Sequence, residues 1–371
     1  MTSLGGQVLW LEECDGASAE RVGGKAVGLG ALIRQELQVP PGFAVTTDAY
    51  RECVVASGLQ DEIARLLDGA DEPEAVQCAS EKVRALFDDR CVGPAVAAEI
   101  VSAYETLMGR QAAAAGPPAV AVRSSATAED RAEASFAGQQ ESYLWVQGVD
   151  QVVHHVARCW GSLFTPQAIS YRARLGVPLE GLAMGVVVQQ MVPAEAAGVM
   201  ITLDPVSGDR SQISIESSYG LGLAVVGGEV NPDRFSVDKV MLTLRSQHLS
   251  AKHIAYRYDA DAGGVVLVDV PEAEQSLPSL ATDEVLAVAA LGTKVERSMG
   301  GPQDVEWAVA PGTGGEREVF LLQTRPETVW SQRTPAAVSS TGTGMMDRLL
   351  RTISTPTRLT DVASREGDSP C

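Results

Sequence analysis

Histidine, cysteine and aromatic side chains are scarce. The 371 residues include four His and six Cys, and aromatic residues make up 5%. The cysteines, Cys14, Cys53, Cys78, Cys91, Cys159 and Cys371, include no CxxC pair and no Cys/His cluster with zinc-ligand spacing. That excludes the usual structural zinc modules. Cysteines scattered singly in a long chain fit a reducing compartment. No apolar run approaches the roughly 20 residues that span a bilayer. The start, MTSLGGQVLWLEECDG, has neither a basic region nor an apolar core, so it does not read as a secretory leader. A cytoplasmic chain is expected. Basic charge is also short: 29 Lys and Arg face 48 Asp and Glu, a net charge of -19. Such a surface repels nucleic acid and anionic membranes, so neither is an expected partner. It repels polyphosphates at long range too. Any nucleotide site here needs local cations and bound Mg²⁺.

What remains is the composition of an ordinary globular protein, 45% apolar and 21% charged, long enough for two or three domains or lobes. A Gly-rich stretch, VGGKAVGLG, leads into a helix through Leu37. Pro40 and Pro41 form a turn before a short strand, GFAVTT. From Thr47 to about residue 115 apolar residues recur at spacings of three and four, the period of helices. AVAVR reads as a strand, followed by a polar loop from Ser124 to Gln140. A helix over 150–164 is predicted to bury Val152, Val156, Trp160 and Leu163. MGVVVQQMV, GVMITLD and SQISIES then read as short strands. A helix over 282–299 precedes two more, DVEWAV and EVFLLQTR, which pair as a hairpin. After Trp330 the composition becomes linker-like, with a short amphipathic piece, MMDRLLRTI.

Five places could carry chemistry. Gly23, Gly24 and Lys25 open a helix, where backbone N–H groups and a lysine suit an anion. The glycine spacing is not that of a Walker A loop, and such glycines equally mark a tight turn. Arg123 ends a strand, with Ser124, Ser125 and Thr127 beside it. An arginine fork suits phosphate oxygens, although the hydroxyls also read as a helix-capping cluster. Residues 135–140, with Gly138 and Gln139, resemble a polar lid with a glycine hinge. Gln189, Gln190, Met191 and Val192 leave an apolar strand and could offer a slot and a backbone edge to a purine; a plain strand end has the same pattern.

Asp304 and Glu306 alternate in DVEWAV and share one side of a strand, as do Gln323 and Arg325 in LLQTRP. A carboxylate and an amide oxygen together suit Mg²⁺ shared with phosphates. A solvated hairpin face with an ion pair would look the same. His154, His155, His248 and His253 read as structural or solvated residues.

Taken in order, VGGKAVGLGALIRQELQVPPGFAVTTDAY, VAVRSSATAEDRAEASFAGQQES, VVVQQMVPAEAAGVMITLDPVSGDR, GLGLAVVGGEVNPDRFSVDK and PQDVEWAV with LLQTRPET resemble the nucleotide-binding region shared by phosphoenolpyruvate synthase, pyruvate phosphate dikinase and rifamycin phosphotransferase. The resemblance covers roughly residues 15–330. It implies an α+β, ATP-grasp fold: two lobes enclosing the nucleotide, with mixed and antiparallel sheets and flanking helices. The lobes would span 1–185 and 186–331, followed by a linker-like tail over 332–371; apart from the resemblance, the amphipathic piece of that tail is expected to dock a partner. The resemblance implies Lys25 and Arg123 on phosphates, with Ser124, Thr127, Gly138 and Gln139 nearby. Gln189–Val192 become the adenine hinge, Glu306 and Gln323 the Mg²⁺ ligands, and Arg325 a phosphate clamp. Glu216 and Asp233 join the nucleotide-binding set.

In such enzymes ATP passes its β-phosphoryl group to a histidine on a swivelling domain, releasing AMP and phosphate. No histidine here stands in that context. The expectation is therefore the ATP-binding subunit of a split dikinase, working with a separate subunit that carries the phosphohistidine and acceptor-binding domains. A small-molecule acceptor is expected: a phenol, by resemblance to phenylphosphate synthase, ahead of pyruvate and a rifamycin-like antibiotic. A non-catalytic ATP-sensing module is the alternative of a different class.

Overall fold

The computed structural model describes residues 6–90, 92–109, 119–126, 141–179, 181–312 and 316–330. Residues 6–330 fall within one compact unit. Two antiparallel sheets organise it, each with helices of its own.

The first sheet contains β1 (Val8–Trp10), β2 (Gly42–Val45), β3 (Val120–Ala126), β4 (Ser142–Val146) and β5 (Met184–Gln190), in the order β1-β2-β5-β3-β4. Its central strand, β5, is a run of apolar residues, as a strand covered on both faces must be. One face is covered by α2 (Thr47–Ala56), α3 (Leu59–Leu67), α4 (Pro73–Arg90), α5 (Pro94–Gly109), α6 (Val149–Gly161) and α7 (Pro166–Leu175). Together they enclose Phe43, Phe87, Val122, Trp160, Phe164 and Val188. α6 keeps the predicted apolar stripe: Val152, Val156 and Trp160 are buried at helical spacing. α7 starts at Thr165, whose hydroxyl accepts the Ala168 N–H at 3.3 Å, with Pro166 in the first turn. It stops at Gly176, with φ +64°.

The other face is covered by α1 (Ala19–Arg34), through Val22, Ala26 and Leu29. The predicted Gly-rich loop is mostly helix. Only Gly23 departs, at φ 78° and ψ 168°, and it kinks α1. A Cβ at Gly23 would lie 2.2 Å from the Ser125 carbonyl oxygen. The glycine thus lets the helix backbone close on β3.

The second sheet holds β6 (Ala196–Ile201), β7 (Gln212–Tyr219), β8 (Asp233–Asp238), β9 (Thr243–His248), β12 (Gln303–Pro311) and β13 (Arg317–Pro326), in the order β13-β12-β6-β7-β8-β9. α10 (Thr282–Met299) lies beneath it, and Val285, Val288 and Val295 pack with Met200, Ile215, Phe235 and Trp307. A short helix, α8 (Leu223–Val226), follows β7. A hairpin of β10 (Ile254–Asp259) and β11 (Gly264–Asp269), followed by α9 (Glu272–Gln275), completes the unit. Every named ladder is antiparallel.

The expected boundary at residue 185 falls inside β5, which pairs wholly with β2 and β3. The first sheet therefore runs through Gln190. α1 also belongs to both halves. Its Leu32 is buried in the second core, and a Cβ at Gly28 would lie 2.9 Å from the Thr324 carbonyl oxygen of β13. Tyr258 of β10 stacks on Trp145 of β4, with ring centroids 4.5 Å apart. The 332–371 tail lies outside the described residues.

Cys14, Cys78 and Cys159 are free thiols, but Cys53 is disulfide-bonded. No described helix is long and apolar enough to cross a membrane.

Candidate nucleotide-binding site

Between the two sheets lies a cavity of about 600 Å³. Five distant segments converge on it. α1 supplies Lys25, β3 supplies Arg123, and the end of β5 supplies Gln189, Gln190, Met191 and Val192. β12 supplies Asp304 and Glu306, and β13 supplies Gln323 and Arg325. The sequence expectations for these residues meet in one place.

Strand alternation explains the polar wall. Asp304 and Glu306 lie two apart on β12, with Arg325 and Gln323 as their register partners on β13. All four point to the same face. A bulge after Glu306 leaves Leu322 outside the pairing. Its carbonyl oxygen accepts a hydrogen bond from Arg123 Nη1 at 3.4 Å. Asp304 receives Arg325 through Nε at 2.8 Å and Nη2 at 2.5 Å. Arg123 Nη2 donates to Glu306 Oε2 at 3.0 Å, joining the first sheet to the second. Arg123 Nε is buried without an acceptor among the described residues. Lys25, only 6% exposed, donates from Nζ to the Ser124 carbonyl oxygen at 2.7 Å.

The apolar end is built differently. Val192, Ala197 and Ala308 pack together, with Ala194 and Leu322 against them. Leu144, Val199 and Ile201 also line the cavity. Small residues on β6 and β12 leave room for a flat ring over the sheet. At the hinge, the Gln190 N–H donates to Pro41 and the Met191 N–H to Ala119, both at 2.9 Å. The Val192 N–H has no backbone acceptor among the described residues, and Pro193 has no N–H to offer. Gln189 turns its amide to the Pro40 carbonyl oxygen at 3.2 Å.

Three other expected residues are placed elsewhere. Ser124 is fully buried, and its Oγ has no partner among the described residues. Glu216 shares the cross-sheet row Gln323–Glu306–Val199–Glu216. It does not line the cavity and pairs with Arg234 at 2.9 Å. Asp233 is fully buried and engaged by protein groups. It accepts from Lys252 Nζ at 2.7 Å, from the Ser250 N–H at 3.0 Å, and from Ser279 N and Oγ, both at 2.8 Å. That network pins the segment after β9 to the second sheet and leaves no carboxylate oxygen for a nucleotide. Thr127, Gly138 and Gln139 lie outside the described residues.

None of the four histidines lines the cavity. His155 is half-buried against Tyr143, and burial lowers its pKa from the ordinary value. His248 and His253 are exposed. Burial pushes the Cys14 thiol up to about 12 and raises that of Cys159 as well, so both stay protonated and unreactive.

Sequence reasoning missed Glu229, Leu144 and Ile201, which also line the cavity. Glu229 accepts from the Tyr256 hydroxyl at 2.8 Å. Its only signal is its place in GGEVNPDR. The two apolar residues carry no chemical signal beyond strand alternation.

Residues 19–343 match the family described as pyruvate phosphate dikinase, AMP/ATP-binding domain. The chain belongs to that family. Phosphoenolpyruvate synthase of Aeropyrum pernix is 41% identical over 355 residues, covering 88% of this chain and 43% of that protein. Rifampicin phosphotransferase of Streptomyces sviceus is 39% identical over 326 residues, covering 86% and 36%. Phosphoenolpyruvate synthase of Pyrococcus furiosus is 36% identical over 368 residues, covering 89% and 44%. The chain spans less than half the length of these relatives. The fold is thus the α+β, ATP-grasp type, and the domain is an ATP-binding one.

Proposed function

We propose that this domain binds Mg-ATP in the inter-sheet cavity and loads its β-phosphoryl group onto a histidine supplied from outside residues 1–330. The convergence of Lys25, Arg123, Arg325, Glu306 and Gln323 on one cavity carries this reading. In it, the adenine lies at the apolar end, beside Val192 and Ala308. The phosphates lie toward Lys25, Arg123 and Arg325. Positioning and charge neutralisation do most of the work in phosphoryl transfer.

The donor set fits Mg²⁺. Glu306 and Gln323 are register partners that offer a carboxylate and an amide oxygen on one face. Mg²⁺ commonly takes one or two protein oxygens and completes its shell with phosphates and water. When bound, it neutralises phosphate charge. The buried, acceptor-less Nε of Arg123 supplies a donor for a phosphate oxygen.

That all four histidines lie off the cavity supports an external acceptor. A partner subunit with a phosphohistidine domain would supply it, as would a further domain of a longer chain. The relatives' names favour pyruvate or a rifamycin as the final small-molecule acceptor. The phenol expected by resemblance draws no support from the cavity or from these relatives.

The test is a ³¹P assay of this chain with Mg-ATP, alone and with a polypeptide carrying such a histidine. The chain alone binds ATP and forms almost no AMP; the added histidine releases AMP and phosphate. Rapid AMP formation by the chain alone would contradict the proposal.

A further inference from the structure

Among the described residues, the ionisable side chains lining the cavity cancel one another. Lys25, Arg123 and Arg325 face Glu229, Asp304 and Glu306. Each arginine is held by a carboxylate: Arg123 by Glu306 at 3.0 Å, and Arg325 by Asp304 through two bonds. Lys25 is spent on a carbonyl oxygen. The chain around them carries a net charge of -19. Among the described residues, nothing in this arrangement attracts a free polyphosphate.

Bringing metal-free ATP to Arg123 would strip Glu306 of its cation. The carboxylate would then sit unpaired beside Asp304, a neighbour two residues away on the same strand face, and beside the phosphates themselves. Its side chain is 23% exposed, so water would compensate only in part. A divalent cation at Glu306 and Gln323 removes the conflict. It takes the carboxylate as Arg123 leaves it for a phosphate oxygen.

We infer that the Arg123–Glu306 ion pair is an exchange device that makes nucleotide binding conditional on the divalent cation. The inference rests on the reading of the cavity as a Mg-ATP site. It adds that metal and nucleotide bind as a coupled pair because each releases the other's partner. Coupling of this kind is reciprocal. Freeing Arg123 should help ATP without metal, and freeing Glu306 should help metal without ATP.

The experiment compares titrations of the full wild-type chain with those of two variants. Wild type is titrated calorimetrically with Mg-ATP, and with ATP in EDTA. Glu306→Gln is titrated with ATP in EDTA. Wild type and Arg123→Ala are each titrated with Mn²⁺ in the absence of nucleotide, with free Mn²⁺ followed by electron paramagnetic resonance. Circular dichroism confirms that each variant is folded. The expected result is a roughly tenfold gain for E306Q toward metal-free ATP and a comparable gain for R123A toward Mn²⁺, each against wild type. If wild type binds Mg-ATP and both variants behave like wild type in these assays, the exchange device is overturned and the nucleotide site stands. If wild type does not bind Mg-ATP, the reading of the site fails and the device falls with it.

Discussion

Asp304 grips Arg325 through two guanidinium nitrogens, Nε at 2.8 Å and Nη2 at 2.5 Å, across neighbouring strands of one hairpin. The arginine side chain is nonetheless 61% exposed. An ion pair so exposed adds about 1 kcal/mol or less to stability. In the proposed reading of the cavity, its use lies in aiming a cation at the phosphates. Arg325→Ala should therefore leave the urea-unfolding midpoint nearly unchanged and weaken Mg-ATP binding roughly tenfold, the usual loss for a charge-assisted contact. Unfolding curves and calorimetric titration check the two halves separately.

Gly28 predicts the reverse pattern. A methyl group there would meet the Thr324 carbonyl oxygen at 2.9 Å and its Cγ2 at 3.2 Å. α1 would have to move off β13. Gly28→Ala should destabilise the chain by about 1–3 kcal/mol, as overpacking does, despite the better helix propensity of alanine. Denaturant unfolding measures it. A neutral or stabilising effect would mean that α1 does not approach β13 so closely.

Asp233 and Lys252 are both fully buried and 2.7 Å apart. Removing one partner strands the other charge in the interior, a loss of about 3–5 kcal/mol. Asp233→Ala should therefore unfold at markedly lower urea. Replacing both residues by apolar ones should recover much of the loss. If Asp233→Ala instead lowered ATP affinity at unchanged stability, Asp233 would return to the nucleotide site.

Much of this architecture was legible in the sequence, where periodicity and alternation leave a physical trace. The stripe of Val152, Val156 and Trp160 foretold α6. The alternation of Asp304 with Glu306 and of Gln323 with Arg325 foretold one polar face of a hairpin. The illegible parts depend on contacts between distant segments. Glycines of α1 suggested a phosphate loop, but at Gly23 and Gly28 they admit neighbouring backbone instead. Asp233 looked available for a ligand because its lysine partner lies in a later, unremarkable segment, SQHLSAKH. The bulge that offers the Leu322 carbonyl to Arg123 has no composition of its own. The expected lobe boundary falls within β5 because β5 enters the first sheet late in the chain, after all of that lobe's helices.

The central claim is that ATP phosphates sit against Arg123 in the cavity between the sheets. The most direct measurement is the Kd of Mg-ATP for wild type and Arg123→Ala by calorimetry, with unfolding curves for both. Among the described residues, Arg123 carries two hydrogen bonds and one acceptor-less nitrogen. The account predicts one site per wild-type chain and an affinity loss of tenfold or more in the variant, which still folds but is less stable because Glu306 loses its cation in a half-buried position. Equal affinities in two equally folded proteins would contradict it.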